Sequence, residues 1–248
     1  MKNLNGKYCI VTGAGKGIGK AIVKRFLDEE AAGVAILEWD FDLAQATAKE
    51  LDPSGQRVIA VKCNVADTDQ VKEAIDTVLV AFGRIDVLVN NAGITRDRIF
   101  HKMTDDEWHS VIDVNLNGVF NTCKYVIPMM REQESGAVVN ISSTSLMGNA
   151  GQANYAATKA ALQGFTRTLA KELARKNVRM NCVAPAYIDT EMMRAIGEDL
   201  LAARVKATPS QRLADPEEIA SVVAFLCTDD SSWVTGQTIF ASGGLICQ

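Results

Sequence analysis

Histidine is almost missing from this chain, with two residues in 248. His101 and His109 have no cysteine or carboxylate at a recognised ligand spacing, so no structural or catalytic metal is expected. The six cysteines, Cys9, Cys63, Cys123, Cys182, Cys227 and Cys247, are scattered and contain no C-x-x-C pair. Several lie in apolar strand or helix patterns, which reads as reduced core thiols of a cytosolic protein rather than a disulfide framework. No apolar run approaches the roughly 20 residues that a membrane span needs. Residues 1–7 run polar straight into a first apolar segment, so no signal peptide is expected and a cytoplasmic location is. A net charge of −4 without a basic stripe argues against nucleic acid or an anionic membrane as partner. Repeats, low-complexity tracts and linkers are also lacking.

What remains is a chain of 48% hydrophobic and 23% charged residues, long enough for one large α/β domain over 1–248. Short apolar, β-branched runs at 8–11, 34–37, 58–61, 85–89, 137–141, 178–183 and 238–241 read as strands. Between them, amphipathic stretches at 21–27, 43–51, 71–82, 108–130, 153–175 and 217–226 read as helices. Continuously apolar strands separated by helices predict a single doubly wound parallel sheet of about seven strands with helices on both faces. Its ligand crevice should lie at the C-terminal strand ends. The least periodic section, 184–214, holds Pro185, Pro209 and the pair Met192-Met193, and follows a strand end. A mobile lid over the crevice, around 186–212, is expected there.

The most informative stretch is Thr12-Gly13-Ala14-Gly15-Lys16-Gly17-Ile18-Gly19, set between the first strand and the first helix. That order puts a phosphate on a helix N-terminus, where unpaired N–H groups and the positive dipole end meet the anion. Glycine permits the close approach of a pyrophosphate and backbone angles that other residues resist. Farther along, Tyr155 and Lys159 open a helix four residues apart and so share one face. They follow Asn140-Ile141-Ser142-Ser143, a strand ending in two hydroxyls. A hydroxyl, a phenol and an ammonium thus meet at the crevice mouth. A free phenol, with a pKa of about 10, is a poor acid–base catalyst at neutral pH. Lowering it by about three units takes roughly 4 kcal/mol of differential interaction, within reach of a close Lys and an adjacent cationic nicotinamide.

Taken together, the chain resembles the short-chain dehydrogenase/reductase family from Gly6 essentially to its C-terminus. The matching motifs are the TGxxxGIG loop, Asn90-Asn91-Ala92-Gly93, Asn115 within Val114-Asn115-Leu116, the serine pair at 142–143 and Tyr155-xxx-Lys159. The resemblance implies a Rossmann-type domain and hydride transfer between a nicotinamide and a carbonyl or alcohol carbon. It makes Tyr155 the general acid/base and gives Lys159 the nicotinamide ribose. A serine would hold the carbonyl oxygen, and Asn115 a water feeding a proton relay. One departure bears on the serine. The Gly that usually follows the pair is absent from Ser143-Thr144-Ser145-Leu146. Counting back from Tyr155 selects Ser142, counting along the strand selects Ser143, and we take Ser143 because a loop shortens more easily than a strand end shifts.

For the cofactor, the resemblance assigns Gly13, Gly15, Lys16, Gly17, Ile18 and Gly19 to the pyrophosphate turn. Asn64 falls to the adenine, and Val65, Asn91, Ala92 and Gly93 are further cofactor-binding residues. Tyr155 and Lys159 serve the nicotinamide ribose, and Pro185, Ile188 and Thr190 the carboxamide. Glu38, at the end of the second strand, accepts hydrogen bonds from the adenosine ribose and repels a 2′-phosphate. Lys16 pulls the other way. The expected cofactor is therefore NAD, with NADP as the alternative. Asn64 stands where relatives often carry Asp, and its amide can still bond the base. Ala186, where Pro-Gly is common, and Ser242, before Gly243-Gly244, depart from the pattern without touching the hydride chemistry.

The stretch Ile94-Thr95-Arg96-Asp97-Arg98, with Met103, Trp108 and Gly151-Gln152-Ala153-Asn154, resembles 3-oxoacyl-acyl carrier protein reductases and acetoacetyl-CoA reductases. A 3-oxoacyl thioester reduced to the 3-hydroxyacyl form is the leading substrate. Glu132 and Glu134, near the end of the long helix, oppose an acidic carrier protein, although Arg175 and Lys176 favour one. Dehydrogenation of a hydroxy-acid, polyol or steroid alcohol is the alternative, and a non-catalytic NAD-binding sensor a remote one. Apolar residues in the two long helices, among them Val119, Phe120, Val126, Ile127, Leu162, Phe165 and Leu169, go with the homotetramer that the resemblance implies.

Overall fold

Strands form where β-branched and aliphatic residues run without interruption, because helices cover both faces of the sheet they build. The computed structural model describes residues 4–247. It contains β1 (Tyr8–Thr12), β2 (Gly33–Glu38), β3 (Val58–Lys62), β4 (Val87–Asn90), β5 (Gly136–Ile141), β6 (Val178–Pro185) and β7 (Thr238–Ala241). All pair in parallel, in the order β3-β2-β1-β4-β5-β6-β7. The order reverses direction between β1 and β4, which leaves a crevice at their C-terminal ends. Strands β1, β2 and β4 are almost wholly buried, whereas the edge strands β3 and β7 are only partly so.

The helices are α1 (Gly17–Asp28), α2 (Phe41–Leu51), α3 (Thr68–Phe82), α4 (Asp105–Ile112), α5 (Gly118–Gln133), α6 (Ala153–Leu173), α7 (Glu191–Arg194), α8 (Glu198–Ala207) and α9 (Pro216–Cys227). Local chemistry sets several of their ends. Asp40 and Asp67 cap α2 and α3, Gly83 ends α3 in the left-handed conformation, and Thr104 with Glu107 forms a capping box on α4. Alternate residues of each strand feed two cores. Val11, Ile36 and Val89 pack with Ile22, Phe26, Ile219 and Val223 on the α1/α9 side. Ile10, Leu37, Leu88 and Val138 pack with Ile75, Val78, Val126 and Leu162 on the α3/α5/α6 side. Each such side chain, fully buried, stabilises the fold by about 1.5–3 kcal/mol.

One sequence expectation is refined. The long helix expected over 108–130 runs without a break from Asp105 to Gln133, as α4, a π turn at Asp113–Asn117 and α5. A π turn lies inside a helix, so the helical pattern does not announce it. The least periodic section, 184–214, holds α7 and α8. Helix α8 buries none of its residues, which is why no apolar stripe marks it in the sequence. The cysteines Cys9, Cys63, Cys123, Cys182 and Cys227 are buried, and desolvation pushes the thiols of Cys63, Cys123 and Cys227 up to about 12. No helix is long and apolar enough to cross a membrane among the described residues. Nor do three His, Cys, Asp or Glu side chains cluster there as a metal site.

Candidate active site

The glycine turn is built by the end of β1 and stapled to the end of β4. The Thr12 hydroxyl accepts the N–H groups of Asn91 and Ala92, both at 3.0 Å. The Asn91 amide in turn donates to the carbonyls of Thr12 and Gly13, at 2.9 and 2.8 Å. A Cβ on Gly13 would lie 2.7 Å from Ala92 Cα, and one on Gly19 would lie 2.5 Å from the Gly13 carbonyl oxygen. Both contacts are closer than carbon tolerates, so glycine is obligatory there. Lys16, the N-cap of α1, is extended and caps nothing with its side chain, unlike Asp40, Asp67 and Thr104. The first turn of α1 therefore offers its N–H groups to an anion, and the residues present fit a dinucleotide pyrophosphate. Ile18, by contrast, packs against the core.

At the end of β2, Glu38 Oε2 accepts the Gly15 N–H at 3.2 Å and Oε1 accepts the Trp39 N–H at 3.0 Å. The carboxylate is thus fixed beside the turn. Lys16 does not point into solvent alone: its ammonium pairs with Glu191 of α7 at 2.8 Å. Asn64 is exposed at the end of β3, with its Oδ1 held by the Ala66 N–H at 3.1 Å. Val65 is buried, its side chain against Gly118 and its carbonyl on the Asn121 amide at 2.9 Å. Pro185 ends β6 buried, Ile188 beyond it is buried too, and Thr190 caps α7 while its methyl approaches Gly17.

The second half of the site sits where β5 ends. Ser142 turns into the core and donates to the Lys159 carbonyl at 2.8 Å. Ser143 instead accepts the Ser145 N–H at 3.1 Å, and its hydroxyl is near enough to Tyr155 to act on the phenol's pKa. Of the two serines, the structure brings Ser143 to Tyr155. Lys159 is 3% exposed and donates to the Ile141 carbonyl at 2.7 Å. Its ammonium stands 5.4 Å from the Tyr155 ring centre. Asn115, at the centre of the π turn, is fully buried and grips the Ile94 backbone twice, at 2.8 and 2.9 Å. Gly93 joins these groups: a Cβ there would lie 3.4 Å from Asn115 Oδ1 and 3.5 Å from Lys159 Nζ.

A family model described as enoyl-(acyl carrier protein) reductase matches residues 13–246. A 3-oxoacyl-[acyl-carrier-protein] reductase of Thermotoga maritima is 46% identical over 98% of this chain and 99% of its own. One from Staphylococcus epidermidis is 44% identical over 96% and 98% of the two chains. The chain belongs to the short-chain dehydrogenase/reductase family. Among solved structures, the crystal structure of gox2181 superposes with a TM-score of 0.94 at 36% identity, covering 98% of this chain and 97% of that one. The protein is an NAD(P)-dependent oxidoreductase of that family, with the Rossmann-like fold.

Its tyrosine shows an electrostatic balance that the sequence does not convey. Burial pushes the Tyr155 phenol above its ordinary value, the Ser143 hydroxyl pulls it back, and the Asp97 charge raises it further. The expected lowering by Lys159 is not seen, because that ammonium is aimed at the Ile141 carbonyl. Burial also brings Lys159 itself down to about 8. This has a measurable consequence. Below pH 8 the buried ammonium stays charged and costs stability. As pH rises from about 8 towards 10.5, the folded protein releases this proton before the unfolded chain does, so stability rises. Unfolding free energy should therefore gain about 1.3 kcal/mol between about pH 7 and 9 relative to Lys159→Met. Denaturant titrations of both proteins check this, and parallel curves would exclude it.

Several residues that the motifs contain, but to which the sequence assigns no role, shape this reductase site. Asn154 is fully buried and its amide donates to the carbonyls of Arg96 and Glu107, at 3.0 and 2.8 Å. With Arg98 N–H on the Gly151 carbonyl at 2.8 Å and Gln152 on Asp97 at 2.9 Å, it moors the 94–98 loop to the start of α6. Beneath, Asn90 donates to Asn140 at 2.8 Å and Asn140 to Thr166 at 2.9 Å. The motifs single these residues out without saying what each one bonds. Which of them meet is decided by the β4–β5 register that pairs Asn90 with Asn140.

Proposed function

We propose that this enzyme reduces a 3-oxoacyl thioester to the 3-hydroxyacyl thioester, with NADH as the preferred donor. The observation that carries the reading is the placement of buried Lys159, its ammonium 5.4 Å from the Tyr155 ring centre, with Ser143 beside the same phenol at the crevice. A bound nicotinamide supplies the hydride to the carbonyl carbon. Ser143 holds the carbonyl oxygen, and Tyr155 gives that oxygen its phenolic proton. A phenol held above its ordinary pKa is protonated at neutral pH, the form that reduction requires. Lys159 binds the ribose hydroxyls, and Asn115 positions the water from which Tyr155 is reprotonated. The relatives' printed names support the substrate class.

Glu38 supports NAD, since a 2′-phosphate brought beside its carboxylate meets like charge. Glu38→Ala should raise the ratio of kcat/KM with NADPH to that with NADH by about tenfold or more, because like-charge contacts cost several kcal/mol. An unchanged ratio would move the adenosine ribose elsewhere. The thioester's carrier is less constrained. Lys176 is paired with Glu134 at 2.7 Å, so the two charges offset each other, and the relatives' printed names favour an acyl carrier protein as the carrier. Because Glu38 also suits an oxidative enzyme, dehydrogenation of a hydroxy-acid, polyol or steroid alcohol is the second reading. Steady-state kinetics with both cofactors across acetoacetyl-CoA, polyols and hydroxysteroids distinguish them; activity confined to the alcohols would reject the thioester. The proposal extends to a cytoplasmic homotetramer with 186–212 as its substrate lid. Most of the apolar helix residues cited for assembly turn out to face the core. Phe120, 53% exposed on α5, and Phe100, 72% exposed, are left to support it.

A further inference from the structure

Lys16 stands at the mouth of α1, and its ammonium lies 2.8 Å from the Glu191 carboxylate in the first turn of α7. The two residues are 175 positions apart in the chain, so the ion pair joins the glycine turn to the segment after β6. A second contact places α7 in the same way. Thr190, which caps that helix, has its methyl 3.6 Å from the point where a Cβ on Gly17 would lie. Asp189 and Arg194 close on each other at 2.6 Å, leaving Glu191 to meet the turn.

On its other side, Lys16 adjoins the end of β2. Its neighbour Gly15 donates its N–H to Glu38, and the charges of Glu38 and Asp40 act on the Lys16 ammonium after the larger effect of Glu191. Lys16 therefore lies in the field of the ribose carboxylate while it is bound to a carboxylate of α7. A dinucleotide carrying a 2′-phosphate near Glu38 needs a cation to offset that carboxylate, and the ion pair and the phosphate compete for the same one.

We propose that Glu191 is a specificity-determining residue for the cofactor: by engaging Lys16 it withholds from a 2′-phosphate the positive charge that would otherwise offset Glu38. Glu191 acts through Lys16 and touches neither the ribose nor the reacting atoms. A dinucleotide without the extra phosphate does not enter the competition. The proposal rests on the assignment of Glu38 to the adenosine ribose.

Fluorescence titration of the whole purified protein with NADPH and with NADH tests it, using E191Q, K16Q and the double variant. E191Q should raise NADPH affinity relative to NADH about fivefold at low ionic strength, and less at high salt, because exposed charges are screened. In the K16Q background, the same exchange should leave the ratio of the two dissociation constants unmoved. An unchanged ratio in E191Q overturns the proposal. So does a gain that persists without Lys16, or an equal gain for both cofactors, which is what a merely structural role would give. E38Q, titrated alongside, separates the two levels. If its ratio does not move, the ribose assignment has failed. If it moves and that of E191Q does not, only the competition for Lys16 has failed.

Discussion

Tyr155→Phe should lower kcat by about a thousandfold while leaving the NADH dissociation constant within about twofold. The exchange removes one oxygen and keeps the ring. Ser143, the neighbour of the lost hydroxyl, retains the Ser145 N–H at 3.1 Å, so its oxygen is not left without a partner. Stability should fall by no more than about 1 kcal/mol. What disappears is the proton donor at the carbonyl oxygen, and a general acid in place contributes about 10²–10⁴ in rate. Ser143 cannot take over, because a serine hydroxyl is a far weaker acid than a phenol. Steady-state turnover beside a fluorescence titration with NADH reads both quantities. Turnover above about a tenth of the unmodified enzyme would remove Tyr155 from the acid's role, whereas a large loss of NADH affinity would make it a binding residue instead.

Much of this site is legible in the chain because its parts are local. The glycine turn needs only one strand end, one helix start and the spacing between them. Tyr155 and Lys159 share a helical face by arithmetic. Their pKa values are another matter. Four residues of helix bring the ammonium near the ring, but the Ile141 carbonyl decides where the ammonium points, and burial decides both titrations. The serine question shows the same limit. Adjacent strand residues face opposite ways, so Ser142 and Ser143 had to differ, yet only the β5–β6 pairing and α6 reveal which one faces the crevice. Asn115 marks the boundary between the two kinds of information. Its motif is plain in the sequence, while the π turn that carries it is hidden inside a helical repeat. The contact between Lys16 and Glu191, 175 residues apart, leaves no local trace at all.

Gly19→Ala should weaken NADH binding by about 10²–10³-fold through the addition of a single methyl group. The added carbon would lie 2.5 Å from the Gly13 carbonyl oxygen, 2.6 Å from the Asn91 amide nitrogen and 2.7 Å from Ala14 Cα. Two of those neighbours are backbone, so relief requires the turn itself to move off α1. Asn91 cannot yield cheaply, since its amide already donates to the Thr12 and Gly13 carbonyls. Displacing the turn costs the fold about 1–3 kcal/mol as overpacking. It also misaligns the N–H groups that face the pyrophosphate. Each charge-assisted hydrogen bond contributes about 1.5–3 kcal/mol, so losing one strong or two weak ones, about 3–4 kcal/mol in all, gives the stated range. A fluorescence titration with NADH measures the affinity, and a thermal melt shows that the protein remains folded at the assay temperature. Near-normal NADH affinity in a folded Gly19→Ala protein would mean that the dinucleotide does not rest on this turn. The geometry permits no intermediate escape: a methyl at Gly19 and an intact Gly13–Asn91 contact cannot occupy the same space.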